Sequence, residues 1–362
     1  MSFGKVNPHF WKNKSVFLTG HTGFKGGWLS LWLSQMGAKV TGFALAPPTN
    51  PNLFHTLDLE SVLSASHIAN VCDLDRLQKT LAACDPEIVI HMAAQPLVRY
   101  SYINPVDTYM TNVMGTVNIL ESVRQTDSVV ATVIVTTDKC YENKEWAWGY
   151  RENEAMGGFD PYSSSKGCAE LVTAAYRQSY FSRQNQVRSH IGLASARAGN
   201  VIGGGDWSED RLVPDAIKAF ETNKTLLIRN PLATRPWQHV LEPLSGYIIL
   251  AQSLYQDAEK FGSAWNFGPK DNDNCSVGNV ITSMCRQWGS SAKWQQDISS
   301  QPHEATFLKL DCSKTKGELG WEPKWGLEIA LEKIIHWHRA FLAKDNMRAL
   351  TLKQIDEYIK SN

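Results

Sequence analysis

The sequence has no net charge: Lys and Arg together number 36, and so do Asp and Glu. No global field draws the chain to nucleic acid or to an anionic membrane surface, so any anionic ligand must be held by local groups. No stretch approaches the ~18 uninterrupted apolar residues that a membrane helix needs. Met1–Lys14 also lacks the apolar run of a secretory signal, and the chain is expected in the cytoplasm. The seven cysteines are scattered, odd in number and without a CxxC pair. That pattern speaks for reduced thiols rather than a disulfide framework or a zinc site. The ten histidines form no ligand-spaced cluster, so no metal is expected and metal-dependent hydrolysis is unsupported.

What is present is the composition of an ordinary globular protein, 43% apolar and 20% charged, in a 362-residue chain long enough for two domains. The first half alternates short apolar runs with amphipathic stretches. Ser15–Thr19, Lys39–Phe43, His67–Val71, Ile88–Met92 and Val129–Thr137 are short, β-branched and nearly continuous in apolarity. Such runs predict strands buried on both faces, hence parallel. Helical patterns over Gly27–Met36, Leu74–Cys84 and Val106–Arg124 lie between them, with Gly37 placed for a C-cap. The repetition predicts an α/β fold, a doubly wound parallel sheet of Rossmann type. A helix over Pro161–Ser179 and a strand over Ile191–Ala196 extend it. Residues 1–198 are expected to form the nucleotide-binding domain, with a later contribution near 235–255. Residues 199–362 are expected to form a smaller, interleaved, mixed α/β domain that covers the strand ends and binds substrate.

Thr19-Gly20-His21-Thr22-Gly23-Phe24-Lys25-Gly26 follows the first strand and opens the first helix. Glycine is needed where the chain turns sharply, where backbone must approach a pyrophosphate and where helix meets strand. Gly20, Gly23 and Gly26 fit those roles, with Thr22 and Phe24 beside them, and the helix N-terminus offers N–H groups to phosphate. His21 is placed either on the cofactor phosphate or as a satisfied loop histidine. An acid about 20 residues past the glycines usually takes the adenosine ribose hydroxyls; here the second strand ends in Gly42-Phe43-Ala44-Leu45. No charge selects NAD over NADP, and the ribose is expected to be weakly held. Asp73, followed by Leu74, is placed as an acceptor for the adenine amine or as a helix N-cap, two compatible roles.

Asp160-Pro161-Tyr162-Ser163-Ser164-Ser165-Lys166 carries the sharpest chemistry. Pro161 belongs in the first turn of a helix with Asp160 as cap, which puts Tyr162 and Lys166 one turn apart on one face. A phenol has a reference pKa of ~10, too high for a base at neutral pH. A neighbouring ammonium and a helix N-terminus are expected to lower it. The pair then removes a proton from an alcohol while hydride leaves the same carbon.

The glycine loop after the first strand, with YxxxK downstream, resembles the extended short-chain dehydrogenase/reductase family over almost the whole chain. Ala93-Ala94-Gln95 resembles that family's nicotinamide-side loop, with Thr136 beside it at the next strand end. Thr111–Thr116 resembles its central helix motif, and Asn266 a residue of its substrate domain. Thr137-Asp138-Lys139 resembles the sugar-nucleotide 4,6-dehydratases, although their second ionisable residue is commonly Glu. Together with Ala93–Arg99 and Arg235–Val240 it most resembles the branch acting on CDP-glucose.

The resemblance implies an NAD-dependent lyase of deoxysugar and O-antigen biosynthesis. Tyr162 would take the proton from the sugar 4-hydroxyl, Thr137 would bond the same oxygen, and Lys166 would fix the nicotinamide ribose. Asp138, protonated, would donate to the departing 6-hydroxyl, and so needs a raised pKa. Lys139 would either remove the C5 proton as a neutral amine or stay charged and stabilise the enolate. Arg235, and secondarily Arg211 and Arg99, are placed on the substrate diphosphate, or alternatively in salt bridges. Asn200 and Asn266 are placed on phosphate or sugar hydroxyls, and His239 is read as structural. Val106–Arg124 and Tyr162–Ser179 are expected to pair with their copies in a homodimer or homotetramer. A 4-epimerase of the same family and a non-catalytic dinucleotide sensor are the rivals. Asp138-Lys139 argues against the first, and retention of both Tyr162 and Lys166 against the second.

Overall fold

The computed structural model describes residues 4–182, 190–298 and 307–361; the outermost ends of the two expected domains, 1–3 and 362, lie outside these. Seven strands form one parallel sheet: β1 (Ser15–Thr19), β2 (Lys39–Ala44), β3 (Ala65–Ile68), β4 (Ile88–His91), β5 (Ala131–Val135), β6 (Gly192–Ala198) and β7 (Ala264–Phe267). The spatial order is β7-β6-β5-β4-β1-β2-β3. The order reverses between β1 and β4, and in open α/β sheets ligands bind in the crevice beyond the carboxyl ends at such a switch.

Both faces of the sheet are covered, which is why its strands are apolar almost throughout. In β1, Val16 and Leu18 enter the core on one side while Phe17 enters the core on the other, as the two-residue period of a strand requires. Each fully buried apolar side chain of this size contributes roughly 1.5–3 kcal/mol. On the first face lie α1 (Phe24–Gln35), with Trp28 and Trp32, and a long helix, Leu241–Gln256, buried along nearly its whole length. On the second lie α2 (Leu74–Cys84) and the helical run 105–124, through Leu77, Leu81, Ile119 and Leu120. The segment 241–267 thus returns to the sheet after the chain has left it, and it extends past the expected contribution near 235–255. The remaining chain packs around Val213, Phe220, Trp237, Ile281, Met284 and Leu331 in a separate core.

Two elements depart from the sequence expectation. β3 ends at Ile68, where the expected strand ran to Val71. Ala69 and Val71 are buried, but beyond the last ladder pair, Ala44 with Ile68, where the chain turns along the cleft and under the helical run. Their apolarity answers to that packing, not to a strand. The helix expected over Val106–Arg124 is present but changes winding: residues Met110–Met114 form a π-turn between two α-helical segments. Such turns are rare and concentrate at functional sites. This one aims Asn112 at Gln95 on one side and Ser165 on the other (2.8–3.0 Å), joining the loop after β4 to the helix that carries Tyr162.

Candidate active site

The cleft at the switch point has a volume of about 1570 Å³, above the ~300–1,000 Å³ of a single small-molecule site. At its floor the chain leaves β1 through Gly20, whose φ is +79° and where a side chain would meet the Ala93 nitrogen at 2.8 Å. A side chain at Gly26 would run into the Gly20 carbonyl. Only glycine allows the loop to fold this tightly against the loop after β4. α1 begins with Gly23 as N-cap and no side chain capping it, so its first N–H groups remain available for an anion. Gly20, Thr22, Gly23, Phe24 and Gly26 line the cleft, as do Ala93, Ala94 and Thr136. The cradle fits the pyrophosphate of a dinucleotide.

Four residues expected on the cofactor are placed elsewhere. His21 is fully buried, with Nε2 2.8 Å from the Ser66 hydroxyl and its ring against Gly42 and Phe54. It ties the loop to β2 and β3, and burial lowers its pKa to about 4, so it is neutral. Asp73 caps α2, accepting the Arg76 N–H at 3.1 Å, and neither it nor Leu74 lines the cleft; Ala69, Asn70 and Val71 do. The Gln95 side chain closes its own loop, donating to the Leu97 carbonyl and Thr108 hydroxyl and accepting the Leu97 N–H. Beyond β2 the lining is Ala44, Leu45, Ala46 and Pro48, without acid or base.

The residues expected in catalysis gather where β5 ends beside the helix α3 (Pro161–Tyr180). Asp160 caps that helix through the Ser163 N–H and hydroxyl at 2.9 and 2.6 Å. Tyr162 and Lys166 follow on one face, both buried. The Thr137 hydroxyl donates to Asp138 Oδ1 at 3.0 Å. The Lys139 ammonium lies 6.0 Å from the Tyr162 ring centroid. Burial pushes the Asp138 carboxyl up, against the pull of Lys139, Thr137 and Arg235, the direction a proton donor needs. Its Oδ2 is buried and without a hydrogen-bond partner.

The electrostatics of Tyr162 differ from expectation. Burial pushes the phenol up to about 12, and Thr137 and Arg211 only partly offset that. Desolvation of the phenolate outweighs the local charges because the Lys166 Nζ is directed to the Val135 carbonyl, at 3.4 Å, beneath the strand end. Burial pulls Lys166 itself down to about 8, with Glu170 and Cys140 opposing.

Facing this cluster, Arg235 is buried on the strand Thr234–Pro236 and its charge reaches Asp138. Arg211 lines the cleft and pairs with Asp206 at 2.9 Å. Arg99 is at the rim, half exposed, in an ion pair with Asp210 at 3.2 Å. Asn200 lines the cleft. Asn266, expected on substrate, is fully buried away from it: it accepts the Tyr141 hydroxyl and donates to the carbonyls of Tyr150 and Asp311. It fastens β7 to two loops. His239 is buried between Trp28 and Trp325, a packing position as expected. No group of metal-ligating side chains forms among the described residues, and no described helix is long and apolar enough to cross a membrane.

Residues 17–334 match the profile of the family described as GDP-mannose 4,6 dehydratase. The chain belongs to this family. A CDP-glucose 4,6-dehydratase of Salmonella typhimurium is 54% identical over 98% of this chain and 99% of its own length. A dTDP-glucose 4,6-dehydratase of Haemophilus influenzae is 24% identical over 74% of this chain and 81% of its length. Among solved structures, dTDP-glucose 4,6-dehydratase from Bacillus anthracis in complex with NAD superposes with a TM-score of 0.75. It is 21% identical and covers 90% of this chain and 96% of its own.

Two ionisable residues of this family member escaped the sequence reading. Lys25, in the glycine loop, lines the cleft near Lys166, Arg211 and Asp138, and burial lowers its pKa to about 7. A cation in the first turn of a helix opposes the macrodipole, a signal that was legible. Glu170 is buried one turn beyond Lys166, paired with Arg197 at 2.8 Å. Its i+4 spacing from Lys166 was legible, but its burial was not.

Proposed function

We propose that this protein is a CDP-glucose 4,6-dehydratase that uses NAD to convert CDP-glucose to CDP-4-keto-6-deoxyglucose by internal redox. The observation that carries the dehydratase reading is Asp138, a carboxyl buried beside the Tyr162 phenol and pushed toward its protonated form. A 4-epimerase has no use for a second acid at that point, whereas elimination of a 6-hydroxyl requires one. The cytidine specificity is supported by the near-full-length similarity to the Salmonella enzyme.

Gly20, Thr22, Gly23, Phe24 and Gly26 would cradle the cofactor diphosphate, with Ala93, Ala94 and Thr136 nearer the nicotinamide. When bound, NAD supplies the hydride acceptor and donor, and a cationic ring that favours phenolate. Tyr162 takes the proton of the 4-hydroxyl, Thr137 holds the same oxygen, and Lys166 fixes the ribose. The resulting 4-ketone acidifies the C5 hydrogen. Lys139, in its neutral amine form, would take that proton as Asp138 donates its own to the 6-hydroxyl, which departs as water, and would return it to C5 once C6 is reduced; the proton gained by Tyr162 replaces the one given by Asp138. Arg235, Arg211, Arg99 and Asn200 serve the substrate diphosphate and sugar.

The chain works in the cytoplasm as a homodimer or homotetramer. Exposed apolar side chains on the adjacent helical elements, Ile103, Val106, Met110, Met114 and Leu171, support that association. The deciding experiment is incubation with CDP-, dTDP- and UDP-glucose and GDP-mannose, with and without added NAD. A 4-ketone absorbing in strong alkali is expected from the CDP sugar. A recovered 4-hydroxy epimer, turnover of another sugar alone, or NAD binding without turnover would each replace this reading.

A further inference from the structure

Beneath the catalytic face lies a charged group that takes no part in the steps above. Tyr162, Lys166 and Glu170 follow one another at i+4 spacing along α3, and all three are buried. The Glu170 carboxylate is fully coordinated. One oxygen accepts the Thr136 hydroxyl; the other accepts the Ser195 hydroxyl at 2.7 Å and Arg197 at 2.8 Å. Arg197 in turn donates to the Tyr141 hydroxyl and the Glu152 carbonyl, at 2.8 and 3.0 Å. Three structural elements therefore converge on this carboxylate: the end of β5, where Thr136 lines the cleft, β6, and α3.

We propose that Glu170 is a positioning residue for the reaction: it fixes Thr136 at the cleft floor and supplies the negative charge that keeps the buried Lys166 an ammonium. The proposal rests on the dehydratase reading for its chemistry. A buried lysine with no anion nearby loses its proton easily, because burial penalises the charged form. Burial already brings Lys166 to about 8, and Glu170 is the first opposing influence. The other titratable groups facing Lys166 are Cys140 from the turn after β5, Lys25 from α1, His91 from β4 and Tyr162 on its own helix. His91 is held neutral by burial, and Lys25 carries a positive charge or none, so neither replaces the carboxylate. Glu170 itself stays ionised despite burial: Arg197, first by charge and then by hydrogen bond, and the two hydroxyls hold its pKa below the usual range.

The neutral isostere tests this. In Glu170→Gln the amide oxygen still accepts hydrogen bonds, but the charge is gone. With CDP-glucose and saturating NAD, the alkaline limb of kcat should move to lower pH by about one unit, with KM for the sugar within about twofold of wild type. Glu170→Asp, which restores the charge, should return the limb to near its wild-type position even where kcat stays low. An alkaline limb unmoved in Glu170→Gln overturns the proposal. Should that variant not fold because Arg197 is left unpaired, Glu170→Gln with Arg197→Met removes both charges and must show the same direction of shift. Should the wild-type enzyme form no ketone from any of the four sugars, the function reading fails, not this one. The pH dependence of NAD binding, read calorimetrically in wild type and Glu170→Gln, then carries the test, with loss of affinity expected at lower pH in the variant and identical profiles overturning it.

Discussion

Where β2 ends, the cleft is lined by Ala44, Leu45, Ala46 and Pro48, and Leu45 is 59% exposed. Where β5 ends, it is lined by Thr137, Asp138 and Tyr162, with Lys166 behind them, and none of the four is more than 9% exposed. The same sheet edge thus offers an open, uncharged shelf at one end and a desolvated, hydrogen-bonded cluster at the other. Burial gives the cluster its altered proton affinities: Asp138 and Tyr162 are raised and Lys166 is lowered, each with desolvation as the first cause. The shelf has nothing comparable to hold a ribose. Buried, hydrogen-bonded side chains are concentrated at the β5 end, whereas the glycine loop and the shelf present mainly backbone and apolar groups to the cleft.

The largest effect should come from Tyr162→Phe, which keeps the packing and removes the proton acceptor. Turnover should fall about 10³-fold with NAD binding retained, and a loss under tenfold would dissolve the contrast between the two ends. Next, Asp138→Asn should slow loss of the 6-hydroxyl, and so formation of the 4-keto-6-deoxy product, about 10²-fold while oxidation at C4 proceeds, seen as the absorbance of reduced cofactor. The wild-type pH profile carries the sign: a raised carboxyl stays protonated to higher pH, and donation is lost as pH rises through that value. That loss should vanish in the Asn variant while the alkaline limb set by Lys166 remains, and an unchanged profile would end the role of Asp138 as donor. Lys139→Met should still oxidise C4 but should admit no solvent deuterium at C5, and normal incorporation would end its role as base.

At the shelf the expected changes are smaller. Leu45→Asp places an acid where the ribose hydroxyls are expected, and should tighten NAD binding about tenfold, some 1.4 kcal/mol; titration calorimetry showing no gain would mean that the ribose lies elsewhere. Asn266→Ala removes three buried hydrogen bonds outside the cleft and should cost about 1–3 kcal/mol of stability, with KM nearly unchanged. A large rise in KM without loss of Tm would return Asn266 to the substrate.

Much of this was legible from residues alone. The apolar runs of the strands, the glycine spacing before α1 and the Asp160–Pro161 helix start are local signals, and apart from the shifted β3 and the π-turn the elements formed where that chemistry placed them. His21, Asp73, Gln95 and Asn266 were harder, because their polar atoms are claimed by neighbours distant in sequence or by the local backbone. Asn266 is bonded to Tyr141, 125 positions away, and sequence motifs carry no record of such partners.

Sequence by itself determined the sheet, the cradle and the Tyr162–Lys166 pair, because backbone conformation and helical spacing depend on near neighbours. Only the tertiary structure decided the charges. The proton affinities of Asp138, Tyr162 and Lys166 depend on how much water their surroundings exclude, and the Glu170–Arg197 pair joins α3 to β6 across the fold. Desolvation is a property of packing, and no window of residues contains it.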